Sequence, residues 1–241
     1  MDILLTNDDG ISGVGINKLA ELLRLQGKHK VTVIAPEVNR SGISHAVSLL
    51  VGPVKMTRLD ENTYTCSGNP ADCVVTALLG ILPEKPELVI SGINQGENLG
   101  TDIIYSGTVA AARQASFAGI PAIAFSLAGN GPFHWDMAAS WAVDHLEELL
   151  EYWKEGTFVN VNIPNNPLGP DGMLMAKPGI KHYYDGIEIR NVSDDSCWCF
   201  LETLKEQKVQ AAETGTDIDV VSRNFVSVST VYSYPQGDIQ S

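Results

Sequence analysis

Asp8 and Asp9 stand side by side behind a short apolar run, Ile3-Leu4-Leu5-Thr6, with Asn7 before them and Gly10 after them. Adjacent carboxylates repel each other, and a bound cation or exposure of one of the pair to water must offset the repulsion. Two later polar stretches carry more oxygen donors: Asn39 and Ser41 in Glu37–Gly42, and Asn94 behind Ser91-Gly92-Ile93. Carboxylates, a hydroxyl and an amide carbonyl are hard donors that suit Mg2+, Mn2+ or Ca2+ better than zinc. A fourth stretch, Ser106-Gly107-Thr108, opens an alanine-rich run. Backbone amides at a helix start attract an oxyanion such as phosphate. A metal beside a phosphate site is the layout for metal-assisted phosphoester hydrolysis, with the metal polarising a phosphoryl oxygen and the amides stabilising the in-line transition state.

Each piece also has a plainer reading. Asn-Asp-Asp-Gly is good turn composition, Ser41 before Gly42 fits a turn, and Asn94 can hold its own loop. Ser106 fits an N-cap. His45 and His134 lack partner spacing and read as structural or surface groups. The functional reading rests on all four stretches reaching one place, which depends on the elements that carry them.

The elements alternate. Asp2–Thr6 reads as a strand, Gly13–Gln26 as a helix stopped by Gly27, and Lys30–Ala35 as a second strand ended by Pro36. That order implies a parallel crossover. Ala46–Val51, Val54–Arg58 and Thr63–Cys66 alternate weakly and suggest edge hairpins, and Asn69-Pro70 starts a helix running to about Leu79. Glu87–Ser91 is a third core strand, opening into a glycine-rich loop to Asp102. Val109–Ala118 is a helix, Pro121–Leu127 a strand, His134–Lys154 the longest helix and Phe158–Ile163 a further strand. Ligands of open doubly wound sheets bind at the carboxyl ends of the strands, so the loops after the first three strands share one edge. The expected fold class is α/β, a Rossmann-like doubly wound, mostly parallel sheet. Residues 1–164 form its core. Residues 165–241, with extended segments Met173–Ala176, His182–Arg190, Cys197–Leu204 and Phe225–Tyr232, form a hairpin appendage, an oligomerisation arm with some return to the core.

Composition narrows the partners. The 241 residues carry a formal net charge of −13, which repels polymeric nucleic acid. No apolar run approaches the length of a membrane span, and Met1-Asp2-Ile3 has no basic leader, so a cytoplasmic setting without membrane contact is expected. Cys66, Cys73, Cys197 and Cys199 show no Cys-x2-Cys pair and read as reduced, partly buried thiols. Neither a P-loop, nor a dinucleotide fingerprint, nor a Gly-x-Ser-x-Gly elbow is present.

Four segments carry a resemblance: Ile3–Gly10; Ala35-Pro36 through Ser41-Gly42 with Ser44-His45; Ser91–Gly96 with Asn98-Leu99-Gly100; and Tyr105–Ala111. Together they resemble the SurE family, stationary-phase survival proteins that act as metal-dependent nucleotidases, and they occur in that family's order. The resemblance implies a Rossmann-like fold and one divalent ion, Mg2+ or Mn2+, held by Asp8, Asp9, Ser41 and Asn94. It implies hydrolysis of nucleoside 5′-monophosphates, with 3′-monophosphates and short polyphosphate as further substrates. It also implies homodimers or homotetramers built through C-terminal exchange. Ser106, Gly107 and Thr108 would cradle the phosphate, with Asp8 and Asp9 holding the metal while it activates water. Near the end, Gly215-Thr216-Asp217 and Val226-Ser227-Val228-Ser229 are similar to the family, whereas Thr230 replaces a usual proline and Cys197-Trp198-Cys199-Phe200 a tyrosine-rich pattern. Two other readings compete. A phospho-acceptor receiver domain needs an aspartate after the third strand and a lysine after a later one, but Asn94 and Ala124-Phe125-Ser126 stand there. A non-catalytic nucleotide-binding sensor is the alternative that the sequence leaves open.

Overall fold

The computed structural model describes residues 1–181, 185–193, 195–203 and 212–236. The strands are β1 (Asp2–Thr6), β2 (Lys30–Pro36), β3 (Met56–Arg58), β4 (Thr63–Cys66), β5 (Leu88–Gln95), β6 (Ala122–Ala128), β7 (Thr157–Pro164), β8 (Met173–Met175), β9 (Asp185–Ser193), β10 (Ser196–Thr203) and β11 (Val226–Tyr232). Among the described residues, nine of them form one sheet in the order β3-β4-β2-β1-β5-β6-β7-β11-β8, while β9 and β10 form a separate antiparallel ribbon. From β4 to β7 every neighbouring pair is parallel. β3 on β4 and β11 on β7 are antiparallel. The fold is therefore α/β with a mostly parallel mixed sheet.

Strand alternation sorts the core into two layers. Ile3, Leu5, Ile90, Phe125 and Val161 face helices α1 (Val14–Leu25) and α5 (Trp135–Asp144), which contribute Ile16, Leu19, Leu23, Ala138 and Ala142. Leu4, Val89, Ala124 and Phe158 face α2 (Pro70–Thr76) and α4 (Gly107–Phe117). The alanines of α4, all buried at positions 110, 111, 112 and 115, let that helix lie close on the sheet. A single turn, α3 (Asp102–Tyr105), precedes it.

Several elements differ from the sequence expectation. Ala46–Val51 is not a strand; it holds a 3-10 turn at Ser48–Leu50. The cause lies 24 residues away, where the buried Asp72 carboxylate accepts from the N–H groups of Ser48 at 2.9 Å and Leu49 at 3.0 Å. The long helix His134–Lys154 is two helices, α5 and α6 (Leu146–Leu150). At the joint His145 leaves helical geometry, and its ring stacks on Trp141 and bonds that residue's carbonyl at 2.8 Å. β5 runs on to Gln95 instead of ending at Ser91, with a register shift against β6 between Ser91 and Asn94. Gly92 makes the shift feasible: its φ is +133°, and a Cβ there would stand 2.3 Å from the Phe125 carbonyl oxygen.

The last quarter of the chain holds a helix where few helix signals were read, α7 (Asp217–Ser222). β8 and β11 belong to the main sheet. The expected strand ends at His182 and Leu204 lie outside the described residues. Cys197 and Cys199 are exposed, in contrast to the partly buried thiols expected; Cys66 and Cys73 are buried.

Candidate metal and phosphate site

β2 lies on one side of β1 and β5 on the other, so the chain winds in opposite directions from β1. A crevice opens where the directions diverge, outside the carboxyl ends of the strands. The loop after β1 brings Asp8 and Asp9 there, and the far end of β5 brings Asn94. Asn7 fixes the acid-bearing turn, its side chain donating to the Gly10 carbonyl at 2.9 Å and accepting from the Gly10 N–H at 3.2 Å.

Asp8 is 3% exposed. Its carboxylate accepts a short hydrogen bond from the Thr108 hydroxyl at the start of α4. Gly107 permits the approach, because a Cβ there would lie 2.8 Å from Asp8 Cβ and 3.0 Å from Oδ2. Burial pushes the Asp8 pKa up, opposed by the Thr108 hydroxyl and by the N–H groups of Thr108 and Gly107. The helix end that was expected to cradle phosphate thus already faces an anion, with its amides and dipole directed at negative charge. Ser106 caps that helix, its hydroxyl accepting from the Val109 N–H at 3.1 Å. Its plain N-cap role is therefore real.

Asp9 accepts from the Gln95 N–H at 3.1 Å and faces the Asn39 amide at 3.5 Å. Burial, and then the neighbouring Asp8 charge, raise its pKa to about 6, while the Gln95 N–H works against them. Asn94 donates its amide N–H to the Gly96 carbonyl at 2.9 Å, which leaves the side-chain oxygen as the end free to act as a donor to a cation. The Arg40 N–H binds the Asp8 carbonyl at 2.7 Å and so pins the second loop against the first. Ser41 follows on an exposed turn; its N–H is held by Asn39 at 2.8 Å, and its hydroxyl has no protein partner among the described residues. Asp8, Asp9, Asn94 and the Ser106–Thr108 helix start therefore share one edge, while Ser41 reaches it through its neighbours rather than by direct contact. His45 lies apart, hydrogen-bonded to Gln114 at 2.9 Å and stacked on Phe117.

This donor set fits a hard cation. Two repelling carboxylates, an oriented amide oxygen and an unpaired hydroxyl offer oxygen alone. Among the described residues there is no cluster of three or more His, Cys, Asp and Glu side chains able to hold a metal.

The family described as Survival protein SurE matches residues 3–185. The chain belongs to the SurE family. A protein named 5'-nucleotidase SurE from Methylococcus capsulatus is 39% identical over 233 residues, covering 95% of this chain and 90% of that one. Another of that name, from a Thermoanaerobacter species, is 39% identical over 237 residues, covering 96% and 92%. The crystal structure of the SurE protein from Aquifex aeolicus superposes with a TM-score of 0.83 at 37% identity, covering 98% of this chain and 95% of that one.

Within this SurE-family fold the loop between β5 and α3 is held by groups that the sequence did not single out. Asn98 donates its N–H to Asn162 at 2.7 Å and its side-chain amide to Ser126 at 2.8 Å, and its carbonyl accepts from Asn160 at 2.9 Å. The signal was present in β7, where Asn160 and Asn162 recur on one face of an otherwise apolar strand. The C-terminal region holds the rest. Buried Asp217 at the start of α7 accepts from the N–H groups of Gly100 at 2.7 Å and Gly179 at 2.8 Å. Lys181 Nζ pairs with Glu97 at 3.1 Å and Asp102 at 2.8 Å. These contacts join residues 28 to 117 apart in sequence, so no local pattern announces them.

Proposed function

We propose that this chain is a divalent-metal-dependent 5'-nucleotidase that hydrolyses nucleoside monophosphates to nucleoside and phosphate. The carrying observation is the contact between the acid pair and α4: the Thr108 hydroxyl sits on Asp8, and Gly107 leaves no room between them. Cation ligands and an anion-seeking helix start are therefore one site. The relatives' name, 5'-nucleotidase SurE, supports the same reading.

In this reading Asp8, Asp9, Asn94 and Ser41 hold one Mg2+ or Mn2+ ion. When bound, such an ion polarises a phosphoryl oxygen and acidifies water. Ser106, Gly107 and Thr108 take the phosphate oxygens in the positive field of the helix end. Thr108 keeps Asp8 oriented and ionised, and Asn39 and the Gln95 N–H do the same for Asp9. Nucleoside 3′-monophosphates and short polyphosphate offer the same terminal phosphate and are expected as further substrates. Polymeric nucleic acid is disfavoured by the net charge of −13.

The β9–β10 ribbon exposes Trp198 and Phe200 on one face, surface suited to a second copy, and a homodimer or homotetramer follows from this reading. Four free cysteines fit a reducing, cytoplasmic setting. Among the described residues, no helix is long and apolar enough to cross a membrane.

Phosphate release from a panel of nucleoside monophosphates, with Mg2+, Mn2+ or chelator, tests the proposal. Metal-dependent release that is nearly abolished in Asp8→Asn and in Asp9→Asn, with both variants folded, is the expected result. Near-normal turnover in both variants would remove the acids from the chemistry. Nucleotide binding without release under any metal would make the chain a sensor instead.

A further inference from the structure

Cys197 and Cys199 take no part in the site described above. They alternate along β10 and point to the same face of the ribbon, exposed, with their Sγ atoms 4.0 Å apart. Across the ribbon Cys197 lies opposite Asn191 and Cys199 opposite Ile189. Ile187 and Leu201 continue that face. Glu188 lies on the other face, where it pairs with Arg190 at 2.7 Å. Asp185, opposite Thr203, continues the face of the two cysteines.

We propose that Cys197 and Cys199 form a two-thiolate site for one soft, thiophilic divalent cation of the Zn2+ and Cd2+ type. The separation decides between the two things that paired thiols do. Residues two apart on a strand have Cα atoms about 6.7 Å apart. That is the far end of the range a disulfide spans, and its Cβ atoms must close to about 3.8 Å. A tetrahedral ion with metal–sulfur bonds of about 2.3 Å holds its two sulfurs about 3.8 Å apart, close to the 4.0 Å present here. Binding releases two thiol protons to solvent and forms two metal–sulfur bonds, with no change of oxidation state. Because both ligands come from one strand, their spacing does not depend on what the ribbon packs against. Thiolates select soft ions, whereas the oxygen donors around Asp8 and Asp9 select hard ones. The chain therefore carries two sites of opposite preference, and the proposal stands whether or not the first is hydrolytic.

Cd2+ titration of the reduced, full-length protein, in excess Mg2+ to saturate the oxygen site, tests it through the sulfur-to-cadmium charge-transfer absorption. The expected result is a band that saturates at one ion per chain. Cys197→Ser and Cys199→Ser should each weaken binding about a hundredfold through loss of chelation, and Cys66→Ser should leave the band intact. Both ribbon positions are exposed, so serine is tolerated there, and circular dichroism verifies it. An absent band in the parent protein, or a band of equal affinity in both ribbon variants, would overturn the proposal.

Discussion

Removing the Asp217 carboxylate is expected to be among the most damaging single changes outside the core. The side chain is fully buried and accepts from Gly100 at 2.7 Å, Gly179 at 2.8 Å and Ile218 at 2.9 Å. Asp217→Ala leaves these N–H groups inside the protein without an acceptor. Each stranded donor costs about 1–3 kcal/mol, and some of that is regained where water can enter. The net loss should be roughly 3–5 kcal/mol. With a urea slope of about 3 kcal/mol per M, the unfolding midpoint should fall by roughly 1–1.5 M. Asp217→Asn preserves the shape but turns a donor toward one of the N–H groups, so it should lose much of the same stability. Glu188→Gln, which removes one partner of an exposed ion pair with Arg190, should move the midpoint by less than about 0.3 M and serves as the control. Urea denaturation followed by circular dichroism measures all three. If Asp217→Asn matches wild type, or Asp217→Ala shifts no more than the control, the carboxylate is not what joins α7 to the site loop.

Four further outcomes concern the site itself. Asp9 has a pKa of about 6, so metal affinity should fall about tenfold for each pH unit below that value and level off above it, as read by Mn2+ titration. The same shift has the opposite sign for the stability of the metal-free chain. The folded state holds the Asp9 proton more tightly than the unfolded one, so unfolding midpoints should decline as pH rises from 3.8 to about 6 and then flatten. Gly107→Ala puts a Cβ 2.8 Å from Asp8 Cβ, and phosphate release should drop about a hundredfold from misplacement of the acid, with the helix intact by circular dichroism. Thr108→Val removes the hydroxyl donor that opposes the burial of Asp8, so at neutral pH it should weaken Mn2+ binding and also lower the melting temperature, because a buried carboxylate loses a donor.

The parallel core and the sheet edge that carries the proposed site were legible because both depend on local patterns. Apolar runs stopping before Asn7, Pro36 and Gly92 marked strands, and strand–helix alternation put their ends on one edge. What escaped were features decided by partners distant in sequence. Ser48–Leu50 turns because Asp72 caps it from the next helix. The break at His145 hides beneath an apolar stripe, Ala138, Ala142, Leu146 and Leu149, that keeps its helical period across the joint. β5 was cut short at Ser91 because Gly92 reads as a loop residue, whereas a glycine inside a strand pattern also marks a bulge. Of the proposed metal ligands, Asp8, Asp9 and Asn94 follow from strand ends. Ser41 sits on a turn whose placement is set by the Arg40 N–H and Asn39, contacts that composition alone does not reveal.

The bond from Gly100 to Asp217 joins residues 117 apart. During synthesis at about 5–20 residues per second, roughly 6–20 seconds separate the emergence of the two ends. Within that interval the nascent chain, which already has its acid pair, acquires α4 and the parallel strands β6 and β7, but its β5–α3 loop lacks the anchor that arrives with α7. β11, which closes the sheet against β7, comes later still. Maturation of the site is thus coupled to completion of the polypeptide. A ribosome that stalls or terminates early leaves a product whose sheet is open along β7 and whose β5–α3 loop is untethered, a form that proteases can recognise and remove.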